Sequence, residues 1–209
     1  MQVELIDIGK RFNRQWIFKG INHTFLSNSA TALTGNNGSG KSTLLQLIYN
    51  FQTFSKGTIS YTFNQELLVE EALQGKIVLA APYLDLPEEF TLNEMLAFHF
   101  KLLPLRIGSN LNEILLQSGL QGNEHKFIKH FSSGMKQRLK LILALYSDTP
   151  LLLLDEPCTN LDEKGTAWYR EIIKAQSGKR TIIIASNQKQ EYDFCTEVLN
   201  VTSFKPSAI

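Results

Sequence analysis

Cysteine is scarce in this 209-residue chain: there are two, Cys158 and Cys195, without the paired spacing of a metal site. That argues against a disulfide framework and predicts reduced core thiols in a cytosolic protein. Charge of one sign is not in surplus. The 21 basic and 20 acidic residues leave a net charge of +1, so a dedicated nucleic-acid binder, which needs excess Lys and Arg, is disfavoured. Long hydrophobic runs are missing too. Stretches such as Leu151–Leu154 and Ile182–Ala185 fall far short of the ~20 apolar residues of a membrane helix. The opening MQVELIDIGKRF carries charges within its first ten residues and does not read as a signal peptide. A soluble chain is expected, with any membrane role requiring a partner. Its 43% apolar and 20% charged residues are an ordinary globular balance, enough for one domain with an inserted subdomain.

The first third is strand-rich. Val3–Ile8, Trp16–Phe25, Ala30–Thr34, Thr58–Phe63 and Ile77–Ala81 have strand composition, and Lys41–Tyr49 reads as a helix. From about Leu92 to Leu143 the apolar spacing is helical, interrupted at Pro104, Gly108, Gly119 and Gly122. The last part alternates again: strand at Leu151–Leu154, helix around Thr166–Ala175, strand at Thr181–Ala185. Strand-helix alternation at both ends predicts an α/β core with a mainly parallel sheet, and the helical middle reads as an insertion.

Gly35-Asn36-Asn37-Gly38-Ser39-Gly40-Lys41-Ser42 matches the G-x-x-x-x-G-K-S/T phosphate-loop pattern, with Thr43 next along the helix. The glycines permit a backbone that turns successive N–H groups toward one anion. The helix starting near Lys41 adds its positive dipole end. Lys41 can reach β- and γ-phosphates, and the Ser42 hydroxyl can ligate Mg²⁺. Downstream, Leu151–Leu154 ends in Asp155-Glu156. Two carboxylates at the C-terminal end of a buried strand lie where α/β sheets place ligands. Asp155 is expected to hold Mg²⁺, and Glu156 to polarise the water that attacks the γ-phosphate. Ser132, Ser133 and Gly134 precede a helix, where small residues form either a simple cap or an anion site.

Phe131-Ser132-Ser133-Gly134-Met135-Lys136-Gln137-Arg138 resembles the ABC signature motif, LSGGQ followed by Gln-Arg, and Thr159-Asn160-Leu161-Asp162 resembles the D-loop. With the phosphate loop these stand in family order over nearly the whole chain. The resemblance implies a P-loop NTPase core with an N-terminal antiparallel β portion, as one domain over 1–209 with a helical subdomain at about 84–140. It implies ATP and Mg²⁺ as cofactors, and a second protomer whose Ser132–Gly134 segment completes each site, so that two cassettes sandwich two ATPs. A separate integral membrane permease would be the other partner, with the chain held peripherally on the cytoplasmic face of the cell membrane. The family stacks an aromatic ring on adenine; Phe12 matches by position, with Trp16 the alternative.

Two family features are missing. No Gln follows the strand at Ile77–Ala81, where Pro82 or Tyr83 stands instead. The switch His is replaced by Asn187, which can donate a hydrogen bond to a γ-phosphate oxygen but cannot take up charge. With Glu156, Lys41 and Asn187 as the catalytic set, slow hydrolysis is expected. Asp85 or Glu88 could supply the missing oxygen, against the simpler reading of a solvated acidic turn. The substrate and the direction of transport are not written in the chain.

Overall fold

A computed structural model describes residues 1–206. Two long strands, β1 (Gln2–Phe12) and β2 (Gln15–Phe25), form an antiparallel hairpin. The short strand β3 (Ala30–Thr34) leads into the phosphate loop and helix α1 (Lys41–Ile48). Strands β4 (Lys56–Phe63) and β5 (Glu66–Leu68) complete an antiparallel sheet in the order β2-β1-β4-β5. After β6 (Ile77–Ala80) come three helices: α2 (Leu92–Leu102), α3 (Leu111–Ser118) and α4 (Ser133–Leu145). Strand β7 (Leu151–Asp155), helix α5 (Glu163–Lys174), strand β8 (Thr181–Ala185), the one-turn helix α6 (Lys189–Tyr192) and strand β9 (Glu197–Asn200) follow. The second sheet is wholly parallel, in the order β6-β7-β8-β3-β9.

Side chains alternate across a strand, so a run that is apolar at every position must be covered on both faces. Leu152, Leu154, Ile182 and Ile184 pack with α2 to α5 in one core, while Leu151, Leu153, Ile183 and Ala185 pack with α1 and the antiparallel sheet in the other. The parallel sheet is therefore the middle layer, and the phosphate loop and Asp155 sit at the C-terminal ends of β3 and β7, the two strands that flank β8.

The observed elements differ from expectation at their margins. The first strand runs on to Phe12, beyond Ile8, because Asp7 adopts a positive φ of 50° and register shifts carry β1 past it. Helix α5 starts three residues earlier than expected because the Asp162 carboxylate accepts the Gly165 N–H at 2.8 Å and caps it. Strands β5 and β9 were not anticipated; both are short and largely exposed, and so carry little apolar pattern.

Candidate functional site

The phosphate loop leaves β3 at Gly35 and enters α1 at Gly40, whose φ of 99° no residue with a Cβ adopts comfortably. A Cβ there would also come within 2.6 Å of Ile17 Cγ2. No side chain caps α1, so its first N–H groups remain available to an anion. The Lys41 ammonium donates to the Gly35 carbonyl at 2.7 Å. Asn37, Gly38, Gly40, Lys41, Ser42, Thr43 and Glu156 line one cleft of about 210 Å³. Asn36 and Ser39 shape the loop through a 2.9 Å backbone bond.

Asp155 ends β7, next to Ser42 and Lys41 of the cleft lining. It is 2% exposed, and neither carboxylate oxygen finds a hydrogen-bond partner. Burial, with the charge of Glu156 beside it, raises its pKa to about 6, while Ser42 and Lys41 oppose the shift. An orphaned buried carboxylate beside a serine hydroxyl is a hard-oxygen pair of the kind Mg²⁺ accepts. Among the described residues no three or more acidic, His or Cys side chains are grouped so that they could hold a metal ion by themselves, so phosphate oxygens and water would complete such a shell. Glu156 turns out of the strand with φ of 42°, and its N–H is fixed to the Ala185 carbonyl at 2.9 Å.

Asn187 reaches the loop directly. Its side chain accepts the Gly35 N–H at 3.3 Å and donates to the Asn37 side chain at 3.2 Å. Sequence reasoning missed Thr202, whose hydroxyl accepts the Asn36 N–H at 3.1 Å. It belongs to no motif and arrives from a short turn after β9. Tyr83 stands where Gln was expected. Partial burial raises its phenol pKa, with the Gln46 side chain opposing the shift and the charge of Asp155 adding to it. Asp85 and Glu88 instead line a separate cleft with Lys136 and Lys140, and Glu88 is paired with Lys136 at 2.6 Å.

At the N-terminus of α4, the Ser132 hydroxyl caps the Met135 N–H at 3.2 Å. Ser132, Ser133, Gly134, Arg138, Asn160 and Asp162 line another cleft, which shares no residue with the phosphate-loop cleft. On the hairpin, Trp16 packs against Gly9, with Arg11 and Lys19 over its ring. Phe12 is 46% exposed, with Lys10 at 4.8 Å from its ring centre.

The sequence profile of the ABC transporter family matches residues 18–159, which include the phosphate loop, the α4 cap and Asp155-Glu156. This chain belongs to that family. The cassette is 28% identical over 191 residues to the ABC transporter ATP-binding protein YybJ of Bacillus subtilis, a match covering 90% of this chain and 87% of that protein. Its fold superposes on a solved ATP-binding subunit of an ABC transporter with a TM-score of 0.83 at 25% identity, covering 97% of this chain and 87% of the other. It also follows a dimeric ATP-binding cassette solved in a post-hydrolysis state with ADP and Pi, with a TM-score of 0.77, 20% identity and coverage of 96% and 95%. No helix among the described residues is long and apolar enough to cross a membrane.

Proposed function

We propose that this cassette binds and hydrolyses ATP and drives a separate membrane permease, working as a nucleotide-sandwich dimer. The observation that carries the reading is the convergence of the open α1 N-terminus, Lys41 and the strained Glu156 on one cleft, with the orphaned Asp155 buried next to Ser42 and Lys41 of its lining. In this reading the residues from Gly35 to Thr43 cradle the phosphates, and Lys41 neutralises charge on the β- and γ-phosphates. Ser42 and Asp155 hold Mg²⁺, which supplies electrostatic stabilisation of the phosphates. Glu156 orients the attacking water and accepts its proton, and Asn187 donates to the γ-phosphate. Phe12 stacks on adenine; the packing of Trp16 against Gly9 and the greater exposure of Phe12 favour that assignment.

The cleft at Ser132–Gly134 lies apart from the phosphate loop of its own chain, which suits a site completed by a second protomer. The dimeric solved cassette that shares this fold offers a geometry for that pairing. We take residues 1–209 as one domain whose helical subdomain, about 84–140, presents the signature to the partner. A permease partner would hold the chain on the cytoplasmic face of the cell membrane.

Turnover is expected to be slow, because Asn187 cannot accumulate charge as imidazole does. The test is Mg²⁺-dependent phosphate release from the parent and from Glu156→Gln. A loss of about 100-fold or more in kcat is expected for the variant, in keeping with removal of a general base. Equal rates would sink hydrolysis through Glu156. They would favour a second reading, ATP-gated pairing with little turnover, to which Tyr83 and Asn187 already lend weight.

A further inference from the structure

Glu191 lies on α6 and is 0% exposed. One oxygen of its carboxylate accepts the Cys158 N–H at 3.2 Å, and the other has no partner. No ion pair reaches it among the described residues. A carboxylate buried without a cation is costly, and an apolar side chain would fill the same space at less cost. What Glu191 supplies is an acceptor for a main-chain N–H in the turn that follows Glu156.

That turn needs holding. Glu156 has a left-handed backbone, a conformation that persists only where its surroundings over-determine it. Three elements grip it. The Ala185 carbonyl of β8 accepts the Glu156 N–H. The Gln137 side chain of α4 donates to the Pro157 carbonyl at 2.7 Å. Glu191 of α6 takes the Cys158 N–H. Helix α6 is itself anchored, since the Tyr169 hydroxyl donates to the Glu191 carbonyl at 3.0 Å. The chain reaches α6 directly from Asn187, whose side chain is bonded to the phosphate loop.

We propose that the buried Glu191 carboxylate is a positioning residue for ATP hydrolysis: it holds the Pro157–Cys158 turn so that Glu156 faces the phosphate loop, and it ties that turn to the segment carrying Asn187. The role rests on the reading of function given above. It acts through backbone geometry and does not touch nucleotide.

The experiment compares Glu191→Ala and Glu191→Gln in the full chain by kcat, KM for ATP and amide exchange at Cys158. The alanine variant is expected to lose about tenfold or more in kcat with KM within about twofold, the pattern of a defect confined to the chemical step. Its Cys158 amide should exchange about tenfold faster. The glutamine oxygen still accepts the N–H, so Glu191→Gln should stay within about threefold of the parent in both. Where thermal melting shows that the alanine variant does not fold, Glu191→Leu replaces it, filling the space without an acceptor. The proposal is overturned if the variant without an acceptor keeps parental kcat and exchange, if it raises KM alone, or if the glutamine variant is equally damaged. A parent with no turnover would defeat the reading of function; unchanged Cys158 exchange would defeat the Glu191 role by itself.

Discussion

At the scale of single residues, Asp155 carries the largest tension in the site. Its folded pKa of about 6 lies above the ordinary aspartate value of 3.8. An acid with a raised folded pKa holds its proton longer when folded than when unfolded. Stability is therefore lost as pH rises from about 4 through about 6, and the full cost stands at neutral pH. A shift of this size corresponds to on the order of 3 kcal/mol. Asp155→Asn should accordingly stabilise the nucleotide-free chain by up to that amount at pH 7.5 and hardly at all at pH 4, read by urea unfolding at both values. Mg²⁺ with ATP should stabilise the parent more than the variant. The residues of this site were legible because each group is contiguous in sequence: a glycine-rich loop, and two acids closing an apolar run. Thr202 and Glu191 were not legible. Each reaches its target across a long stretch of chain, and neither has a distinctive neighbour.

At the scale of elements, α4 shows what sequence could and could not supply. Its start was expected from Ser132 and Ser133, and the Ser132 cap is present. Its far end depends on Arg180, which precedes β8 and is 2% exposed. The Arg180 guanidinium donates to the carbonyls of Leu145 at 2.9 Å and Ser147 at 3.1 Å, and to the Gln176 side chain. Burial lowers its pKa to about 9. No local pattern announces a cap supplied from 35 residues downstream. Removing it strands buried carbonyls, so Arg180→Met should destabilise the fold by about 3 kcal/mol, measured by chemical denaturation. The long helices and core strands were readable from apolar period. The four-residue strand β9 was not, since it sits at the sheet edge with its side chains mostly exposed.

At the scale of the whole molecule, the two clefts imply separable defects. Gly134 lies against the Asn160 carbonyl, where an added Cβ would sit 3.0 Å away. Aspartate there would set both bulk and negative charge at the α4 N-terminus. In a Glu156→Gln background, where ATP is retained, Gly134→Asp should leave ATP binding to the isolated chain within about threefold while abolishing ATP-dependent pairing. Size-exclusion chromatography with light scattering, alongside a nucleotide-binding titration, checks both halves. Loss of ATP binding together with pairing would show that the signature acts within its own chain.

The hairpin gives the cassette an optical asymmetry. It has two tryptophans. Trp168, on the buried face of α5, is packed in the core, whereas Trp16 lies between two cations, immediately before Ile17, the residue that abuts the Gly40 turn. One indole thus serves as a steady internal standard for fluorescence, and the other, one residue along β2 from the side chain that touches the phosphate-loop turn, is the native reporter whose emission is expected to change on nucleotide arrival without an attached dye.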